Sequence, residues 1–154
     1  MRLRPGNPVH LLALGLGTGL SPHAPGTVGT LAGVALYLLL ENLSIPVYVS
    51  IWVVLALLGI AICGKAARDM KVNDDPSIVF DEVVGYLITM TAAPEGWQWV
   101  VAGFVTFRVF DIWKPWPIRV LDARMHGGAG IMADDVLAGV FAWAALQALV
   151  MLSQ

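Results

Sequence analysis

The chain has 154 residues, one domain's worth, and 58% of them are hydrophobic while 13% are charged; a soluble domain carries roughly 25% charged residues. That balance excludes an ordinary water-soluble globule. The net charge of −2 hides segregated charges, and with no basic tail or aromatic–basic interleaving the chain has no nucleic-acid footprint. The single Cys63 excludes an intrachain disulfide and a cysteine-only zinc site; inside an apolar run it reads as a small membrane-buried residue.

Arg2 and Arg4 precede the first apolar stretch. A signal peptide would have a continuous apolar region and a small-residue cleavage site. Here a Gly- and Pro-rich insert at 21–29 interrupts the run, so the segment is expected to be retained. Positions 9–20, broken by Gly15, Gly17 and Gly19, are expected to be half-inserted, which is tolerable only under protein cover or beside a wet cavity. A short helix follows over 27–40. The stretch 45–64 is long enough to cross a bilayer core of roughly 30 Å. Pro46 suits its first turn, and Tyr48 and Trp52 are expected as interfacial anchors.

Residues 76–113 are expected to form a hairpin: a helix from Pro76 to Ala93, a turn at Pro94-Glu95-Gly96, and a return over 97–113. Each arm spans roughly 25 Å. A single crossing would bury Glu95 and place Lys114, Arg119 and Arg124 opposite Lys65 and Lys71. A last crossing is expected over 132–152. The fold expected is therefore an all-α integral membrane protein. It is a small polytopic bundle of about four to five membrane-embedded helices in one domain, 1–154.

In this topology Arg2, Arg4, Lys65, Arg68, Lys71, Arg108, Lys114, Arg119 and Arg124 share one side, and only Glu41 and Glu95 emerge opposite. Basic loops mark the cytoplasm, so the polar site is expected at the cytoplasmic face.

Asp81 and Glu82 are expected one to two turns into a helix beside Phe80 and Val83, where unpaired acids are costly. Arg108, Asp111 and Lys114 form an i, i+3, i+6 row set among Phe107, Phe110, Ile112, Trp113 and Trp116. Each neighbouring pair is within reach, and the row reads as a cation clamp for an anionic group. Asp134 and Asp135 are expected at the start of the last helix, where capping explains one acid but hardly two. With Asp81, Glu82 and Asp111 they make five converging carboxylates, whose repulsion needs a cation. Oxygen ligands suit Mg²⁺ far better than Zn²⁺, so Asp81, Glu82, Asp134 and Asp135 are the expected metal ligands.

The segment Ser21-Pro22-His23-Ala24-Pro25-Gly26-Thr27-Val28-Gly29-Thr30 leads into a helix, a context suited to an anion, though it is not a P-loop. Gly26, Thr27, Thr30 and His126 join Arg108 and Lys114 as candidate substrate contacts, and His23 is a candidate base. His10 reads as structural. The sequence has no Cys-x5-Arg, no Asp-x-Asp nucleophile motif and no Gly-x-Ser-x-Gly. Hydrolysis is therefore expected to use a metal-bound water rather than a familiar covalent nucleophile.

The 21–30 segment, Asp81-Glu82-Val83-Val84-Gly85, Phe107-Arg108-Val109-Phe110-Asp111-Ile112-Trp113-Lys114-Pro115-Trp116-Pro117-Ile118 and His126-Gly127-Gly128-Ala129-Gly130-Ile131-Met132-Ala133-Asp134-Asp135 resemble, in order, the signature stretches of the phosphatidylglycerophosphatase A family. The resemblance implies a multi-pass, Mg²⁺-dependent phosphatase of the bacterial inner membrane. Its expected substrate is phosphatidylglycerol phosphate, converted to phosphatidylglycerol and phosphate. Membrane lipids are the expected surroundings, nucleic acid is not a partner, and homo-oligomerisation is left open. The competing class is a small membrane protein that transports or binds Mg²⁺. A transport path would need polar residues along its depth, whereas the acids here stop at one face.

Overall fold

The computed structural model describes residues 2–154. Among them are seven α-helices, one 3-10 turn and no strand. Helix α1 (Pro8–Ala13) starts where the Asn7 side chain accepts from the Val9 amide at 2.9 Å, with Pro8 in the first turn. It ends in left-handed backbone at Gly15, Leu16 and Gly17, followed by a 3-10 turn at Thr18–Leu20. This is the broken segment expected from the glycines. Then come α2 (Pro25–Leu40), α3 (Ile45–Met70), α4 (Phe80–Thr89), α5 (Trp97–Trp113), α6 (Ile118–Arg124) and α7 (Gly127–Leu152).

Glycine contacts fix the directions of the helices. Gly85 abuts Phe107 and Gly103 abuts Met90, so α4 and α5 are antiparallel, as a hairpin requires. Gly64 lies against Gly128 and Gly59 against Met132, so α3 and α7 are antiparallel. Gly26 faces Glu82 and Gly33 faces Tyr86, so α2 and α4 run together. The N-terminal ends of α2, α4 and α7 therefore meet the C-terminal ends of α3 and α5 at one end of the bundle. That end carries Lys65, Arg68, Arg108, Lys114 and the acids of α4 and α7.

Four boundaries differ from expectation: α3 runs past residue 64 to Met70, α4 stops at Thr89 rather than Ala93, and two helix starts shift for tertiary reasons. Pro76 does not open α4, because Asp75 Oδ1 accepts from the Ser77 amide at 2.9 Å and from its hydroxyl at 2.5 Å, closing a turn instead. The Val79 amide then donates to the Ala13 carbonyl at 2.8 Å, and the helix begins only at Phe80. Ten residues make α4 about 15 Å long, half a bilayer core. Conversely, α7 begins at Gly127 rather than near residue 132. Gly128 packs against the Gly64 backbone and the Ile60 carbonyl, where any side chain would collide. That close approach outweighs a helix penalty of about 1 kcal/mol per glycine.

Two helices, α3 and α7, are long and apolar enough to cross a membrane; α2 is apolar but shorter. Only 11% of the most apolar stretch of α3 is buried in the protein. Leu39, Leu57 and Leu152 are 79%, 65% and 85% exposed, an outward apolar surface that water would penalise. Tyr48 is not the expected interfacial anchor. It is 5% exposed, stacks edge-on with Tyr37 and donates to the Leu87 carbonyl at 2.6 Å.

Candidate active site

Asp81 and Glu82 lie in the first turn of α4, nearer its start than expected, where the helix dipole favours negative charge. Asp135 sits two turns into α7, and Gly139 packs on the Gly85 carbonyl, which brings the two helices into backbone contact. As a result, ligand oxygens of Asp81, Glu82 and Asp135 lie within 4.8 Å of one another. Asp81 and Asp135 are 6% and 3% exposed. Asp81 Oδ1, Glu82 Oε2 and Asp135 Oδ2 are buried without a hydrogen-bond partner.

Adjacent residues on a helix point roughly 100° apart, and Asp134 faces elsewhere. Its Oδ2 accepts from Lys114 Nζ at 2.5 Å. Lys114 Nζ is also 3.5 Å from Asp122 Oδ1. Burial works against the charge on Lys114, but the hydrogen bond and field of Asp134 outweigh it and hold the ammonium above the ordinary lysine range. Asp111 pairs with Arg108 one helical turn away. The expected row is thus split, since Lys114 reaches across to α7 instead of back to Asp111.

Six carboxylates and two cations meet here. Arg108 pairs with Asp111, Lys114 pairs with Asp134 and Asp122, and Asp81, Glu82 and Asp135 remain without an ion pair among the described residues. Two like charges about 4 Å apart repel by roughly 4 kcal/mol at an effective dielectric of 20. An all-oxygen cluster of this kind fits a hard divalent cation.

Gly26, in the first turn of α2, borders the cluster. A Cβ there would stand 2.8 Å from Glu82 Oε1 and 3.2 and 3.3 Å from the two terminal nitrogens of Arg108. The first amides of a helix have no partner within it, and the start of α2, the Arg108 guanidinium and Glu82 meet closely at Gly26. Arg108 Nε is itself buried and unpartnered. Thr27 lies in the same turn. Thr30 is buried, and its hydroxyl donates to the Gly26 carbonyl at 2.8 Å, so it braces the turn.

The histidines are placed differently. His23 is exposed, and the hydrogen bonds there join its backbone to Ser21 Oγ. His126 precedes α7 and lines a small polar pocket with Asn73, Asp74, Asp122 and Asp134. Asp122 and Asp74 were not legible as site residues, because only the packing of α6 and of the 71–79 loop brings them to Asp134. His10 has polar neighbours after all: its Nε2 is 2.7 Å from Asp69 Oδ2, and its Nδ1 accepts from the Arg4 amide at 3.0 Å.

The family model of phosphatidylglycerophosphatase A matches residues 11–150. The chain belongs to the phosphatidylglycerophosphatase A family. It is 50% identical to phosphatidylglycerophosphatase A of Escherichia coli (strain K12) over 140 residues, covering 90% of this chain and 81% of the relative. It is 49% identical to phosphatidylglycerophosphatase A of Haemophilus influenzae over 138 residues, covering 88% and 85%. No solved structure matches the chain. The match to phosphatidylglycerophosphatase A spans the start of α2, the acid cluster and the Arg108–Lys114 segment.

Proposed function

We propose that the chain is a phosphatidylglycerophosphatase that removes the terminal phosphomonoester of phosphatidylglycerol phosphate at the cytoplasmic face of the bacterial inner membrane. Mg²⁺ is held by Asp81, Glu82 and Asp135. The activity follows from family membership and from the names of the two bacterial relatives. The observation that carries the site assignment is the charge balance: the three buried carboxylates, each with an oxygen that has no hydrogen-bond partner, stand beside Arg108 and the start of α2.

In the hydrolysis a water oxygen bonds to phosphorus, the phosphorus–oxygen bond to the lipid glycerol breaks, and the freed oxygen ends as a hydroxyl. Such reactions depend chiefly on charge neutralisation and positioning. When bound, the metal supplies positive charge against the phosphoryl oxygens and cancels the repulsion within the cluster. Arg108 presents a planar fork that can hold two phosphate oxygens, as a lysine cannot. The free amides at the start of α2 suit the same anion. Lys114 is held between Asp134 and Asp122 and braces the end of α5 against α7.

The orientation rests on the basic residues gathered at the site end of the bundle and on the positive-inside rule. The expected membrane helices are α2, α3 and α7, with the α4–α5 hairpin between them. Purified protein in detergent, supplied with phosphatidylglycerol phosphate and Mg²⁺, is expected to release phosphate and leave phosphatidylglycerol. Absence of phosphate release by folded protein would overturn the assignment.

A further inference from the structure

Helix α4 starts at a residue poorly suited to starting a helix. The position before its first turn is Val79, and among the described residues no side chain caps the free amides there. Ser, Thr, Asp or Asn is the usual choice, and helix ends fray. Yet Asp81 and Glu82, two of the three acids assigned to the metal, stand in that first turn. Their repulsion of each other and of Asp135 works to push the turn open.

What holds the turn is tertiary, and it acts on Val79. This side chain is wholly buried in a socket made by three glycines from the preceding segments. A Cβ on Gly29 of α2 would stand 2.5 Å from Val79 Cβ, and one on Gly15 would stand 2.8 Å from Val79 Cγ2. One on Gly19 would stand 3.3 Å from the same methyl and 2.1 Å from the Ser77 carbonyl oxygen. The backbone is tied at both ends of the residue. The Val79 amide donates to the Ala13 carbonyl at 2.8 Å, and its carbonyl accepts from the Val83 amide at 3.3 Å, which opens the α4 ladder. Gly26, Gly29 and Gly33 share one face of α2 by helical spacing. That face meets Glu82, Val79 and Val83 in turn, so the socket and the acid cluster lie on the same side of α2.

We propose that Val79 is a positioning residue: the glycine socket fixes the start of α4 and so holds Asp81 and Glu82 in place for the metal. The proposal rests on the assignment of the acid cluster to Mg²⁺ and deepens it. A turn that is already ordered spares the ion the cost of ordering it. Groups that orient metal ligands typically change affinity or activity by roughly 10–100-fold when lost.

Two opposite disturbances test this. Val79→Ala leaves the socket partly empty, and Gly29→Ala overfills it. The Mg²⁺ concentration for half-maximal activity, kcat, KM for phosphatidylglycerol phosphate and the thermal midpoint are measured for each in detergent. Half-saturation by Mg²⁺ should rise about tenfold or more, with kcat reduced and KM close to wild type. Leu146→Ala is the control. Leu146 is wholly buried in α7, about 16 Å along the helix from Asp135, so its loss should lower the thermal midpoint and leave the Mg²⁺ requirement unchanged. A wild-type Mg²⁺ requirement in both Val79→Ala and Gly29→Ala, or an equal rise in Leu146→Ala, overturns the proposal.

A second measurement needs no variant. Wild-type protein labelled with ¹⁵N-valine is followed by amide hydrogen exchange in EDTA. The Val79 and Val83 amides should stay protected without metal, as Val84 does one residue further in. Free exchange at Val79 and Val83 that slows only on adding Mg²⁺ would mean that the ion, not the socket, orders the turn, and would overturn the proposal. If wild-type protein is active without Mg²⁺ and shows no thermal shift on adding it, it is the metal assignment that has failed, and the exchange rates still judge the socket.

Discussion

Lys114 Nζ stands 2.5 Å from Asp134 Oδ2, and this contact pairs the one of two adjacent acids that the helix turns away from the cluster. Lys114 follows the last residue of α5 in left-handed backbone, φ 50, which turns the chain toward α6 and the side chain toward α7. Asp134 meets it there, while Asp135, about 100° round the helix, faces Asp81 and Glu82.

Removing the lysine should therefore hurt in a diagnosable way. Lys114→Met leaves Asp134 buried and unpaired, at a cost of about 1–3 kcal/mol, read as a lower thermal midpoint in detergent. Adding Asp134→Asn removes the stranded charge and should recover part of that loss. A double variant no more stable than Lys114→Met alone would show that the pair is not what holds α5 to α7.

The acid cluster gives a second contrast. Asp81→Asn, Glu82→Gln and Asp135→Asn each keep the side-chain shape and remove a charge. Each should lower activity by two or more orders of magnitude and weaken apparent Mg²⁺ affinity, whereas Asp134→Asn should leave that affinity nearly intact. Stability should move the other way: without metal, neutralising one of three repelling acids raises the thermal midpoint. Wild-type protein should gain about 2.7 kcal/mol from Mg²⁺ at a hundredfold excess over Kd, and EDTA should reverse both that gain and the activity. Melting curves with and without Mg²⁺ check all of this, and a Mg²⁺ shift that survives in Asp135→Asn would exclude it as a ligand.

What the sequence could convey follows from the range of each interaction. The bounds of α2 and α5 and the start of α3 are near those expected because local signals set them: Pro25 and Pro46 at helix starts, Gly96 before Trp97, and unbroken apolar runs between; α3 runs on to Met70, past the expected end at 64. The start of α4 was hidden, because the Val79 amide is taken by Ala13, far away in sequence. The same holds for the site. The residue types of the five carboxylates and two cations were legible, and so was the hairpin that joins them. Their partition was not, since it depends on how α5 and α6 pack on α7. His10 lacked polar neighbours in sequence, yet it meets Asp69 through the fold of α1 onto α3.

Orientation can be read by labelling. In a Cys63→Ala background, single cysteines at Asp74 and Asp122 should react from the cytoplasmic side of sealed vesicles, and cysteines at Asn42 and Glu95 from the other. The two pairs lie at opposite ends of the helix bundle, joined by α2, α3 and the α4–α5 hairpin. Reaction of the Asp74 and Asp122 positions from opposite sides would break the hairpin topology.

The close approach at Gly26 supplies the most specific expectation about substrate. Gly26→Ala puts a methyl 2.8 Å from Glu82 Oε1 and close to both terminal nitrogens of Arg108, tighter than real contacts allow, so the guanidinium or the carboxylate must move. Helix propensity favours alanine here, so the fold should persist while the phosphate seat narrows. Arg108→Lys keeps the charge but loses the planar fork, and it leaves Asp111 with a weaker partner. Both variants should raise KM and reduce kcat/KM by about 10–100-fold, the scale of one or two charge-assisted hydrogen bonds. Mg²⁺ binding, followed by the thermal shift, should survive Gly26→Ala, because the metal ligands are untouched. Wild-type kinetics in both variants would move the phosphate seat away from the start of α2. Normal KM with reduced kcat would instead place Gly26 and Arg108 in charge stabilisation during the reaction rather than in substrate binding.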